Sequence, residues 1–459
     1  THLKSKFGAG IGLFWEVAPD ASEEPTEVGV PSPFVGRKDT LEQLVSTLRK
    51  GQRCVTLLGP GGGGKTRIVQ RLIETEAPQS LYGEAVTFCD VSACASGPDV
   101  MTKMAEVLGL RLNAKETWQA QSATLGQSLA LRERSLVIVD NFEQLVDLAE
   151  DTLGVWIRLA PRIQFIVTSR RRLNLAAEQV VALEPMPLQD SVALFLNQVG
   201  RLCPELRFRA TERKRIGSIL ERFEGNPLAI LLAAGQLQEQ GFDPWAEGFE
   251  SDTTLRVDLD SVLSRSWDIL SASEQNVLVQ STVFRGGFTL EAAEEILDAD
   301  DDWVDDILQQ LLDHSLLFAR VGPDGNYRYG LYETVRDFCG RQKTATSQRA
   351  TASHRLLNYY GGHAEAWHKS LLSPNESTTE RTRAKLNPEK ENLWAAFELG
   401  TKEPSNETGW IALILHTLGL DGHQIERILN VLRIIAARPS GPLRGPLVQT
   451  LLVLTKSIG

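Results

Sequence analysis

Eight consecutive residues, Gly59-Pro60-Gly61-Gly62-Gly63-Gly64-Lys65-Thr66, constrain this chain more than any other stretch. They fit G-x-x-x-x-G-K-[ST] in full, and they join an apolar, strand-like run, Cys54 to Leu58, to a segment of helical character. Glycines let the backbone curl until successive N–H groups converge on an anion. The helix that follows adds partial positive charge at its N-terminus. The competing reading, a flexible Gly-rich turn, leaves the Lys-Thr ending and the flanking strand and helix unexplained.

Strands alternate with helical stretches around this loop. Glu84 to Val91, Ser135 to Val139, Ile163 to Val167 and Gln179 to Leu183 join Cys54 to Leu58 as five short apolar runs. The alternation predicts an α/β unit, a parallel five-stranded sheet with helices on both faces. After Pro187 the strands stop, and Ile216, Ile219, Leu220 and Phe223 keep helical spacing. Leu316 to Val321 and Tyr327 to Tyr332 flank Pro323-Asp324-Gly325-Asn326, a turn sequence that predicts a hairpin. Helices ending in a hairpin suggest a winged helix-turn-helix. The expected division is a tail and acidic, Pro-rich linker over 1–32, an α/β nucleotide-binding unit over 33–187, a small all-α unit over 188–250, a winged helix over 251–345 and a helical, possible repeat region over 346–459.

The loop's chemistry is specific. Lys65 is expected on the β- and γ-phosphates of a nucleotide, and the Thr66 hydroxyl on Mg²⁺. A second acid is needed near the metal, and the apolar run Leu136 to Val139 ends in Asp140, roughly 75 residues after the loop. Asn141 follows it, not an acid. Glu143 has two readings, orienting water for hydrolysis or favouring a helix start. Weak and efficient hydrolysis both stay open on these residues, with a slow Mg²⁺-dependent ATPase the expectation. Thr168-Ser169-Arg170 ends the fourth strand, where open parallel sheets line their ligand crevice. Arg170 is read as a sensor of the terminal phosphate, against a solvated basic turn with Arg171 and Arg172. No Asn-Lys-x-Asp guanine box follows a strand, which favours ATP.

Composition excludes other classes. The formal net charge is −11, against a broad nucleic-acid footprint. Between Arg256 and Gly340 there are 6 Arg and no Lys against 17 acidic residues, so direct DNA binding by the winged helix is not expected. The acidic run Asp298 to Asp306 reads as a solvated helix face. Five scattered cysteines, Cys54, Cys89, Cys94, Cys203 and Cys339, suggest reduced thiols and a cytoplasmic protein, with neither disulfides nor zinc. No run is long enough to span a membrane. A start at Thr1 and a stop inside the apolar pattern Leu451 to Gly459 suggest a piece of a longer protein.

In order, Phe34-Val35-Gly36-Arg37, the Gly-rich loop, Leu136 to Glu143, Thr168-Ser169-Arg170 and Gly225-Asn226-Pro227-Leu228-Ala229 resemble the STAND class of P-loop ATPases, of the NB-ARC type. The branch found in large bacterial transcriptional regulators is the nearest resemblance. Arg265-Ser266-Trp267, Phe284 to Phe288, Leu311 to Leu317 and Tyr329 to Phe338 extend it. The resemblance implies an ADP-held closed form, with exchange for ATP permitting opening and self-association. It implies a protein or ligand trigger at the helical region, in transcription or in defence. It places Val35 and Arg37 near the adenine, Gly59, Gly61, Gly62, Gly63, Gly64, Lys65, Thr66 and Arg67 on the nucleotide, and Pro227 over it. By itself, Gly225-Asn226-Pro227 reads as a turn before a helix. Many relatives carry Met-His-Asp where this chain has Leu331-Tyr332-Glu333, so a lock on ADP is either missing or built differently here. Residues 1–17 resemble the tail that follows a class III nucleotide cyclase or kinase domain.

Overall fold

The computed structural model describes residues 34–436, apart from positions 84, 114–115, 252–255, 301, 323–325, 344 and 420–421. The N-terminal tail, the Pro323-Asp324-Gly325 turn and the C-terminal apolar pattern therefore lie outside the described residues.

Five strands, β1 (Cys54–Leu58), β2 (Val86–Asp90), β3 (Ser135–Asp140), β4 (Ile163–Ser169) and β5 (Glu178–Ala182), form a sheet in the order β2-β3-β4-β1-β5. Every pairing is parallel. Side chains alternate across a strand, so apolar residues at successive positions serve opposite faces. Val137, Val139, Phe165 and Val167 enter a core with Met101, Met104, Leu125 and Trp156. Leu136, Ile138 and Ile166 enter a second core with Leu44, Leu48, Ile68 and Leu72. Burial on both faces is why these runs read as continuously apolar.

From Met186 onward the buried apolar side chains form one contiguous cluster through to Ile435. Helices Leu188–Leu202, Ala210–Glu221, Pro227–Gln240 and Phe242–Glu250 come first. The winged helix follows, with helices Leu259–Ile269, Ala272–Gln280, Leu290–Ile296 and Val304–Asp313, then an antiparallel hairpin of β6 (Leu317–Val321) and β7 (Tyr327–Leu331). Phe288 bridges to Tyr329 and stacks on Phe284 with ring centroids 4.3 Å apart. Helix Glu333–Gly340 leaves the hairpin, and five helices from Ala345–Leu371 to Gly422–Ala436 complete the described chain.

The acidic run departs from expectation. Residues 298–300 are not helical, and helix Val304–Asp313 begins only afterwards. Asp298 is half-exposed and pairs with Arg355 at 2.6 Å, its backbone N–H and C=O both bound by Gln280, whereas Asp305 and Asp306 are exposed on the helix. The cysteines are all free, four of them buried.

Two polar junctions tie the helical region to the rest. Arg328 of β7 and Glu389 form a buried ion pair. Tyr360 Oη donates to the same carboxylate, as does Asn392 Nδ2 at 2.7 Å. Asn392 also donates to Gly287 O at 2.8 Å and accepts from Arg285 N at 2.7 Å. Beside it, Lys103 pairs with Glu391, and Lys390 pairs with Glu106 at 2.8 Å, joining helix Gly97–Leu108 to helix Lys390–Gly400.

Candidate nucleotide-binding site

The Gly-rich loop leaves the end of β1 and turns into helix Lys65–Glu74. Gly62 and Gly64 have φ of 71° and 89°, the left-handed region that glycine enters without penalty. Space also demands glycine. A Cβ on Gly62 would lie 2.8 Å from Leu228 Cβ, and one on Gly61 would lie 2.5 Å from Thr334 Cγ2. Two later parts of the chain, the helical unit and the winged helix, thus close directly onto the loop. Lys65 is buried, and its Nζ donates to Gly59 O at 3.0 Å and Pro60 O at 2.9 Å. Burial pulls its pKa down, Glu143 pushes it back up, and Arg170 and Asp140 add smaller opposing effects.

Asp140 is fully buried at the end of β3. Its carboxylate accepts from Thr168 Oγ1, from Thr66 and, at 3.3 Å, from Asn141 Nδ2. Burial raises its pKa and the neighbouring Asp90 raises it further, while the two hydroxyls and Lys65 act the other way. Thr66 and Asp140 are therefore brought together as expected.

Strand β4 lies between β1 and β3, so Thr168-Ser169-Arg170 emerges between the loop and Asp140. Arg170 Nε lies 3.0 Å from Glu143 Oε1, and its Nη1 lies 3.6 Å from Asp337 Oδ2 of the winged helix. Its guanidinium carbon is 3.2 Å from where a Gly61 Cβ would be. Glu143 sits in the first turn of a short 3₁₀ helix, Phe142–Gln144, so both of its readings stay open.

Arg37 reaches the loop from the other side, donating to Glu184 O and, at 3.4 Å, to Gly63 O. Burial lowers its pKa, and Asp190 opposes that shift. Val35 is half-buried against the large helical core. Asn226 has two tasks. Its Oδ1 accepts from Leu228 N at 3.1 Å and Ala229 N at 3.3 Å, capping helix Pro227–Gln240, and its Nδ2 donates to Gly61 O at 3.0 Å. Leu228 N donates to Gly62 O at 3.2 Å, and Pro227 Cγ lies 3.8 Å from a Gly64 Cβ position. Gly225, at φ 62°, lets the Met186 backbone pass where a Cβ would meet its N at 2.3 Å. Tyr332 stacks tilted on Phe318 at 5.1 Å, and burial raises its phenol pKa while Arg67 and Arg201 oppose it. The winged helix thus also reaches Arg67 on the loop's helix.

Sequence reasoning missed Asp90, Asn226, Thr334 and Asp337. Asp90 carried a signal, an acid ending an apolar strand as Asp140 does, and Asn226 stood in a capping position before proline. Thr334 and Asp337 carried none, being brought in by tertiary packing alone.

A nucleotide polyphosphate with Mg²⁺ fits these residues. The glycines form a cradle that a Cβ would fill, and buried Arg37 Nε and Glu143 Oε2 have no hydrogen-bond partner. Lys65 supplies positive charge, and the Thr66–Asp140 pair supplies oxygen donors of the kind Mg²⁺ takes.

A family model described as Novel STAND NTPase 1 matches residues 30–171, over the loop, Asp140 and Arg170. Over that segment the chain is similar to the STAND class of P-loop ATPases. A second model, Winged helix-turn-helix domain, matches residues 270–344. A Mycobacterium tuberculosis protein whose name describes it as an HTH-type transcriptional regulator is 28% identical over 75% of this chain and 39% of its own length. Regulatory protein AfsR of Streptomyces coelicolor is 26% identical over 66% of this chain and 31% of its own. Disease resistance protein RPV1 of Vitis rotundifolia is 26% identical over 54% of this chain and 18% of its own. The chain thus spans less than half the length of these relatives. The match of a winged-helix model, and relatives named as regulators of that type, give no support to the charge-based expectation that this unit avoids DNA. Among the described residues no helix is long and apolar enough to cross a membrane.

Proposed function

We propose that this chain is the nucleotide-operated switch of a larger cytoplasmic regulatory protein. ADP holds the closed arrangement, and exchange for ATP releases the winged helix, permits self-association and acts on an effector outside this chain. Slow Mg²⁺-dependent hydrolysis resets it. The expected division at 33–187, 188–250, 251–345 and 346–459 gives the moving parts, with the trigger received by the last of them. One observation carries the reading: Thr334 packs on Gly61 while Asp337 faces Arg170, so the winged helix is seated on the loop that would hold the phosphates.

Bound nucleotide supplies a polyanion and its metal. Lys65 and Arg170 offer charge to it, Thr66 and Asp140 hold the metal, Arg37 with Val35 flanks the base, and Pro227 covers the loop. A terminal phosphate competes with Asp337 and Glu143 for the Arg170 guanidinium. Reversing a 1:99 bias to 99:1 requires ATP to favour the open form by roughly 5.5 kcal/mol. The Arg170–Asp337 pair is partly exposed and supplies at most about 1 kcal/mol of that. The remainder has to come from the Gly61–Thr334 contact and the surrounding surfaces.

The test is the nucleotide released on denaturing the purified chain, followed by sizing after exchange. Bound ADP, and larger particles with a non-hydrolysable ATP analogue, are expected. An empty site that takes up ATP only with added Mg²⁺, with no change of size, removes the closed-state account. A second reading, a nucleotide-stabilised scaffold without turnover, draws on Glu143 being paired with Arg170 and on Asn141 following Asp140. Under it, Lys65→Ala lowers stability by the lost ligand linkage and leaves assembly unchanged.

A further inference from the structure

We infer that Asp90 is a second carboxylate of the metal–nucleotide site, and that Asn141 is the residue that positions it. The inference rests on the nucleotide reading above.

In the β2–β3 ladder Asp90 is the register partner of Asp140, at the end of the sheet where the Gly-rich loop also lies. Parallel partners at one register present their side chains to the same face. Asn141 then leaves the strand in a left-handed conformation, φ 65°, with its N–H fixed by Thr168 Oγ1 at 2.9 Å. From that position its Nδ2 donates to Asp90 Oδ1 at 3.0 Å and to Asp140 Oδ2 at 3.3 Å. One neutral amide thus holds two carboxylates side by side at the ends of adjacent strands. An asparagine here does what no acid could, because a third carboxylate would repel both. Left-handed backbone is also tolerated by Asn better than by most residues.

Lys65 already acts on Asp140 and Arg320 on Asp90, and Mg²⁺ takes one or two carboxylates alongside phosphates and its own waters. Thr66, bonded to Asp140, marks where that cation belongs. Glu143 is held differently, by Arg170 at 3.0 Å through Oε1, which leaves only its buried Oε2. Asp90 has a purely structural role as well, since its Oδ1 accepts from Ser92 N at 2.9 Å in an Asx turn. That turn uses only Oδ1, the oxygen Asn141 also holds, and the second carboxylate oxygen is left for a metal's water. The chemistry is that of an outer acceptor, which orients the metal's ligands and does not replace them.

Asp90→Asn separates the roles, because asparagine keeps an oxygen for Ser92 N and removes only the charge. The measurement is the affinity of a fluorescent ADP analogue in EDTA and in excess Mg²⁺, with thermal unfolding of each variant alongside. Asp90→Asn is expected to melt as the parent does, to bind as the parent does in EDTA, and to lose about tenfold of the affinity that Mg²⁺ adds. Asn141→Ala is expected to lose part of the same gain. Manganese in place of Mg²⁺ gives a resonance signal from the bound metal, expected to weaken in Asp90→Asn at equal ADP occupancy. A full Mg²⁺ gain in Asp90→Asn, or no Mg²⁺ gain in the parent, overturns the inference. Lys65→Ala guards the underlying reading: it should lose affinity in both buffers, and parental binding by that variant would overturn the nucleotide site and this inference together.

Discussion

Glu389→Ala should break the described chain at a definite place. The Glu389 carboxylate accepts from Arg328, Tyr360 and Asn392, and the Arg328 and Glu389 side chains are only 4% and 9% exposed. Removing the acid strands a guanidinium in the interior, a loss of about 3–5 kcal/mol. Replacing both charges removes the stranded cation, so Arg328→Met with Glu389→Met should lose only about 1–3 kcal/mol, for the hydroxyl and amide left without an acceptor. The winged helix and helical region together hold close to 180 residues, and for that size each kcal/mol moves the midpoint about 2–4 °C. Glu389→Ala should therefore lower the midpoint of this unit by roughly 10 °C, and the double variant by about half as much. A chain of several units is not two-state, so circular dichroism needs hydrogen exchange beside it, read over helix Ala345–Leu371 and β7. A double variant as unstable as Glu389→Ala would refute the reasoning, since the damage would then not come from an orphaned charge.

Gly61→Ala puts a methyl 2.5 Å from Thr334 Cγ2 and should loosen the winged helix, seen as faster proteolysis between the units, with Thr334→Ser restoring protection. Gly225→Ala combines a positive φ with a Cβ 2.3 Å from Met186 N, and should cost about 2–4 kcal/mol, measured by urea unfolding. His368 and His416 are both held below the usual imidazole pKa, chiefly by burial. Their neutral forms are the folded ones, so the stability they contribute is present above about pH 6.5 and is lost as the pH falls from there through their lower folded-state pKa. His368→Phe should flatten the acid limb of the melting curve.

The sheet was legible because Leu136 to Val139 and Ile163 to Val167 are buried on both faces and so carry no polar interruption. The loop was legible because its chemistry needs eight neighbouring residues. The hairpin followed from its turn residues. What lay beyond the sequence was every contact between distant segments. Arg170 could be placed at a strand end, but not between Glu143 and Asp337, which come from another strand's exit and from the winged helix. Asp298 to Asp306 read as one helix face because charge density was visible, whereas the break in the helix before Val304 and the pairing of Asp298 with Arg355 were not. Asp90 was hidden because an acid closing a strand is also an ordinary Asx turn, and only the β2–β3 register sets it beside Asp140.

One turn of backbone has an unusual position in this architecture. Glu389 and Asn392 grip the winged helix, while Lys390 and Glu391, between them in sequence, grip helix Gly97–Leu108 beside the nucleotide-binding sheet. Four consecutive residues therefore act as a pivot pin through three bodies. Load applied to the helices beyond it reaches the sheet by one arm and the Thr334 seat by the other. The two deliveries are mechanically unlike, because Arg328–Glu389 is sealed from solvent whereas Lys390–Glu106 stands partly in water and is screened by salt. Ionic strength would then weaken the Lys390–Glu106 link most, while the more buried Lys103–Glu391 pair and the arm to the winged helix stay engaged.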